Sequence, residues 1–197
     1  MKESSFEQAI SSLKIEARAI DLIASHIDKD SFSAAADAIV RANRVITCAS
    51  GSSGIAAKKF AHSLCCIEQP AQFLIPSEAV HGGLGCVQKG DVVIFVSRGG
   101  ATSELFPIID VCVRKEVTII CVTEKPDSPM AKKSDIILKM IIERESDKLN
   151  IMATSSFVVT IAIFDALLAA IIEETDYTLK QFGLIHPGGA VGLALNK

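Results

Sequence analysis

No excess of positive charge runs through this sequence: 20 lysines and arginines face 23 aspartates and glutamates, for a net charge of −3. With a pI near 5.8, the broad cationic field that nucleic-acid binding draws on is excluded, and any anionic ligand has to be held locally. The six cysteines, Cys48, Cys65, Cys66, Cys86, Cys112 and Cys121, never take the two-residue spacing of a redox or zinc motif. All six are expected to be small buried hydrophobes with reduced thiols. The opening MKESSFEQAI lacks the apolar core and small-residue cleavage site of a signal peptide, so a cytoplasmic chain is expected. No repeat, low-complexity tract or linker interrupts the sequence. Its 197 residues, 49% of them hydrophobic, suffice for one sizeable core, and a single domain over 1–197 is expected.

One long apolar run is present. Ile151 to Ile172, IMATSSFVVTIAIFDALLAAII, is long enough to span a bilayer and carries a single charge, Asp165. It has no basic flank or aromatic belt, and Asp165 would be costly at mid-membrane. Thr154, Ser155 and Ser156 read as a helix start. The run is therefore expected to be a helix buried on most sides, with a dimer interface as one candidate cover, and no membrane partner.

Residues 1–43 read as a helical arm, with Phe6, Ile10, Leu13, Ile20, Ile23 and Ile27 at mostly helical spacings and a break at Asp28–Asp30. From Arg44 the pattern changes to short β-branched runs, VITC, FLI, VVIFV, VTIICV and DIILKMI, most of them followed by polar or glycine-rich turns and helical segments. Strands alternating with helices predict a parallel sheet covered on both faces over 44–197. In such a sheet the ligand crevice lies outside the carboxyl ends of the strands, where helices begin and present unsatisfied N–H groups.

Three loops stand at those ends: ASGSSG (Ala49 to Gly54), PSEAVHGGLG (Pro76 to Gly85) and SRGGATSE (Ser97 to Glu104). Each joins glycines, which permit close backbone approach, to side chains that donate hydrogen bonds. Hydroxyls and backbone amides arranged this way suit phosphate oxygens. A helix cap and tight turn explains any one such loop about as well; two at neighbouring strand ends favour the phosphate. Neither loop has the Gly-Lys-Ser/Thr ending of a Walker A sequence, and SGSSG has the wrong glycine spacing for a dinucleotide fingerprint.

In sequence and order, ASGSSG, SEAVHGGLG, DVVIFVSRGGATSE and the late LIHPGGAVG resemble the SIS (sugar isomerase) domain of arabinose 5-phosphate isomerases. The resemblance runs from about Arg44 to Gly192. It implies a three-layer, flavodoxin-like α/β sandwich with a five-stranded parallel sheet. It also implies a homo-oligomer, dimer or tetramer, whose active sites draw on more than one subunit. The implied reaction interconverts ribulose 5-phosphate and arabinose 5-phosphate through an enediol, with no cofactor. By resemblance Ser53, Ser97 and Thr102 are phosphate-binding hydroxyls, Glu145 and His186 match acid/base positions, and His81 matches a histidine of the active-site loop. Ser52, Arg98 and Gly100 lie in the same loops and complete the expected substrate-binding set.

Departures from the family are as informative. Ser52 stands where the isomerases typically have an active-site lysine, and Ser97-Arg98-Gly99-Gly100-Ala101 replaces Ser-x-Ser-Gly-Glu. Many full-length members carry a C-terminal pair of CBS modules, whereas this sequence ends at Lys197, so the resemblance is to the SIS domain alone.

Aldose–ketose isomerisation needs a base beside the carbonyl, a relay between oxygens and stabilisation of enediolate charge. From the sequence alone Glu145, in a run of charges from Glu143 to Lys148, reads as a solvated charge; the resemblance makes it a base. His186 precedes Pro187, Gly188 and Gly189, which describe a rigid turn presenting a side chain, although capping of a last helix competes. Arg98 is placed to replace the missing lysine, with bidentate phosphate recognition preserving binding better than catalysis. No metal is called for: Glu78, His81 and the cysteines have no ligand spacing. Two classes follow, an isomerase of a pentose phosphate, or a non-catalytic sugar-phosphate-binding or regulatory module. The persistence of Glu145 and His186 favours the isomerase.

Overall fold

In the computed structural model, which describes residues 1–195, two helices precede the first strand. α1 (Glu3–His26) and α2 (Lys29–Arg41) part at the expected break, where the Asp28 carboxylate caps α2 by accepting from Ser31 N at 2.8 Å. These helices are more than an arm. Ala19, Ile23, Ala35, Ala36 and Ile39 join the same buried cluster as Val45 and Ile94 of the sheet. The stripe Phe6, Ile10, Leu13 and Ile20 instead faces away and is exposed.

Five strands follow: β1 (Val45–Cys48), β2 (Ala71–Phe73), β3 (Val92–Val96), β4 (Thr118–Thr123) and β5 (Ile136–Lys139). They pair in the order β2-β1-β3-β4-β5, every pair parallel. Such strands are buried on both faces, which is why their sequences are apolar runs without alternation. Along β3, Val92, Ile94 and Val96 enter the core beneath α2, α3 (Gly51–Cys65) and α6 (Ser155–Glu174), while Val93 and Phe95 enter a second core beneath α5 (Phe106–Arg114). This is the three-layer α/β sandwich expected.

One strand differs from expectation. The run FLI predicts β2, but the strand lies two residues earlier; Leu74 N still donates to Thr47 O at 2.8 Å before the chain leaves the sheet. Pro76 lacks an N–H for the ladder and opens the short α4 (Pro76–Ala79) instead.

The long apolar run is α6. Its 20 residues, with a mean hydropathy of 2.3 over the best 18, would let it cross a membrane by length and composition. In the fold its stripe of Val159, Ile163, Phe164, Leu167 and Ile171 is buried in the core it shares with α1, α2 and α3. Phe164 stacks on Phe60 of α3 with ring centroids 4.3 Å apart, and Asp165 forms an ion pair with Lys59.

The expectation for the cysteines needs correction. Cys48, Cys112 and Cys121 are buried, and burial pushes their thiols up to about 12, 12 and 11. Cys66 and Cys86 are only half-buried, and Cys65 is exposed because it ends α3 on the solvent side of the helix.

Candidate active site

Because β2 and β3 flank β1 on opposite sides, the chain changes direction at the carboxyl end of β1, the place where open α/β sheets bind ligands. A cleft of about 670 Å³ opens there. Ala49, Ser50 and Gly51 from the loop after β1 form one wall, and Phe73, Ile75 and Pro76 from the end of β2 form another. Glu104 closes a third side from the loop after β3, and its Oε2 accepts a hydrogen bond of 2.6 Å from Ser50 Oγ. In the sequence Glu104 reads only as a helix-start acid. Loops after adjacent strands β1 and β3 must face each other, and an acid in one opposite the serine before a helix in the other is the signal available.

Ser52 and Ser53 occupy the first turn of α3, Ser52 exposed and Ser53 half-buried. Across the β1–β3 crevice, Ser97 Oγ and Thr102 Oγ1 lie 2.8 Å apart in mutual hydrogen bonding, and Gly100 N donates to Ser97 Oγ at 3.1 Å. Gly100 has φ +60°, and a Cβ there would collide with Ser128 Oγ. The tight loop over 97–102 thus needs glycine at this position, and Met130 N, donating to Gly100 O at 3.1 Å, ties it down.

Arg98 and Glu145 are brought together. Arg98 Nη1 lies 2.7 Å from Glu145 Oε1, and Nε lies 2.9 Å from Glu124 Oε2. Glu145 is only 1% exposed, overturning its reading as a solvated charge. Its Oε2 accepts from Thr154 N at 2.9 Å, Thr154 Oγ1 at 3.1 Å and Ser156 N at 3.1 Å, so the carboxylate sits on the N-terminus of α6. Burial alone would raise its pKa; the hydrogen bonds from Ser156 and Thr154 outweigh it and hold the carboxyl below the ordinary range. The group is ionised, as a base must be, but every donor around it is already engaged.

His186 is elsewhere. It follows α7 (Leu179–Ile185), with Nδ1 2.9 Å from Phe182 O and its ring stacked on Phe182 at 3.7 Å between centroids. It lines a second cleft of about 520 Å³ with His62, Cys66 and Pro70, at the carboxyl end of α3. A 15-residue helix separates it from Ser50, about 20 Å at 1.5 Å per residue. Tyr177, just before α7, anchors this segment through its hydroxyl, which donates to Cys66 O at 3.2 Å. Beyond the His186 turn comes α8 (Gly189–Leu195), where a Cβ on Gly192 would collide with His186 O. His81 is exposed in the turn after α4, one residue beyond Val80 of the main cleft. Among the described residues no group of three or more His, Cys, Asp or Glu is arranged to hold a metal ion.

The family model of the SIS domain matches residues 38–170, and the chain belongs to that family. Arabinose 5-phosphate isomerase KdsD of Pseudomonas aeruginosa is 35% identical over 181 residues, covering 92% of this chain and 56% of the relative. Its namesake from Francisella tularensis is 32% identical over 196 residues, covering 98% and 60%. The chain thus spans a little over half the length of these relatives. Among solved structures, a candidate sugar-phosphate isomerase from Listeria monocytogenes superposes with a TM-score of 0.91 at 40% identity, covering 95% of this chain and 100% of that one. Protein c3406 of E. coli CFT073, solved in complex with arabinose 5-phosphate, superposes with a TM-score of 0.89 at 28% identity, covering 95% and 100%.

Proposed function

We propose that the protein is a cytoplasmic, homo-oligomeric sugar-phosphate isomerase that interconverts an aldose and a ketose pentose phosphate, of the arabinose 5-phosphate and ribulose 5-phosphate type, through an enediol. The observation that carries the reading is the cleft at the carboxyl end of β1, where a carboxylate, Glu104, stands beside a hydroxyl–glycine loop and the start of a long helix. The hydroxyls of Ser53, Ser97 and Thr102 hold the phosphate on the loop that Gly100 shapes, with Ser52 and His81 at the rim. Glu104 and Glu145 flank the loop of residues 97–102 and serve proton transfer. Glu145 becomes available once Arg98 releases its Oε1.

His186 completes the site from a second copy, because within one chain a helix length separates it from the cleft. The exposed stripe of Phe6, Ile10, Leu13 and Ile20 and the exposed Leu149, Ile151 and Met152 supply apolar surface for that association. The test is proton exchange at C1 and C2 of pentose phosphates in deuterated water with purified protein. Exchange with arabinose 5-phosphate or ribulose 5-phosphate is expected. Sugar-phosphate binding without exchange would leave a binding module built on an isomerase scaffold.

A further inference from the structure

A phosphate ester carries close to two negative charges at neutral pH, yet the start of α3 offers it no cation, since position 52 is serine. The nearby positive groups are engaged. Arg98 holds Glu124 and Glu145, and Lys59 is paired with Asp165. Lys58 is different: it is exposed, lines the cleft, and forms no ion pair among the described residues. Of the described residues lining that cleft it is the one cation, as Glu104 is the one carboxylate.

Helix geometry gives Lys58 its reach. Gly51, Gly54, Ile55 and Lys58 all line the cleft, and their spacings of three, one and three put them on one face of α3. Helical side chains lean toward the N-terminus and cover the turn before their own Cα. Leaning that way over Ile55, the Lys58 ammonium can reach the end of the cleft where Ser50 and Glu104 meet. A four-carbon stem with a point charge suits a ligand whose position varies along the cleft.

We propose that Lys58 is the cation that holds the ligand phosphate, supplying from six residues further along α3 the charge that the family isomerases place at position 52. This rests on the sugar-phosphate reading of the cleft. A cation on a phosphate that does not react strengthens ground state and transition state alike, so its loss shows in binding and KM rather than in kcat.

The experiment compares wild type, Lys58→Met, Lys58→Arg and the double variant Lys58→Met/Ser52→Lys, titrated with arabinose 5-phosphate by calorimetry and by thermal shift, with KM and kcat measured alongside. Lys58→Met is expected to weaken binding about 10- to 100-fold, the loss of one charge-assisted hydrogen bond. Lys58→Arg should keep most of the affinity, and Ser52→Lys should restore it in the Lys58→Met background. Unliganded Tm should not change, because the residue is exposed. Wild-type affinity in Lys58→Met, or a fall in kcat at unchanged KM, overturns the assignment and leaves the isomerase reading standing. A wild type that binds no pentose phosphate overturns both.

Discussion

Glu104 and Glu145 stand on either side of the same loop and have opposite surroundings. Glu104 faces an open cleft with Ser50 Oγ on its carboxylate, whereas Glu145 is buried beneath Arg98 and the first turn of α6 with four donors upon it. One fold thus holds two carboxylates in two ways. An open carboxylate can accept a proton without losing structure, while a buried, saturated one contributes to the fold whenever it is charged.

The largest effect is expected in turnover, which should fall in both variants, Glu145→Gln included; what separates them is whether stability falls with it. Glu104→Gln should lower kcat about 10²- to 10⁴-fold, as lost general base catalysis does, with the melting temperature and its ligand-induced rise preserved. Steady-state kinetics beside thermal shift check this; full kcat in that variant would end the role of Glu104. His186→Asn should lower kcat as well, and mixing its subunits with Glu104→Gln subunits should restore part of the activity. Without recovery after exchange of subunits, the composite site is lost.

A smaller effect sharpens the contrast from the side of stability. Glu145→Gln should cost about 2 kcal/mol, since it weakens charge-assisted hydrogen bonds to a buried group, whereas Glu104→Gln should cost almost nothing. Urea unfolding measures the difference, and equal midpoints for the two variants would erase it.

The smallest effect is in pH. Because Glu145 titrates below its unfolded value, its contribution is complete above the ordinary carboxylate range, near 4.3. It is lost as pH falls through the lower folded pKa. Wild type should therefore lose stability more steeply than Glu145→Gln in that acid window. Parallel acid limbs would mean that the carboxylate titrates alike in both states.

Most of the sheet was legible in the sequence because a doubly covered parallel strand needs an unbroken apolar run, and β1, β3 and β4 have one. β2 was displaced because FLI is as apolar as a strand but leads into Pro76, and local composition does not say where a proline ends a ladder. The hydroxyl–glycine loops were legible for the same local reason: Gly100 has a conformation and a clearance that other residues cannot match. Glu104 and Glu145 were harder. Whether an acid is solvated, capped or facing a cleft depends on which distant loop lies opposite, and Ser50 is 54 residues from Glu104. The stripe of α1 illustrates the same limit, since helical spacing identified Phe6, Ile10 and Leu13 as one face without saying whether that face turns inward.

Tyr177 has a use beyond anchoring the segment before His186. The chain contains no tryptophan and one tyrosine, so tyrosine emission comes from a single ring whose hydroxyl meets the end of α3. The protein carries an intrinsic optical reporter at the boundary between the sandwich and its last two helices. Detachment of that segment, or its capture by a neighbouring subunit, is visible as a change in tyrosine fluorescence without any label.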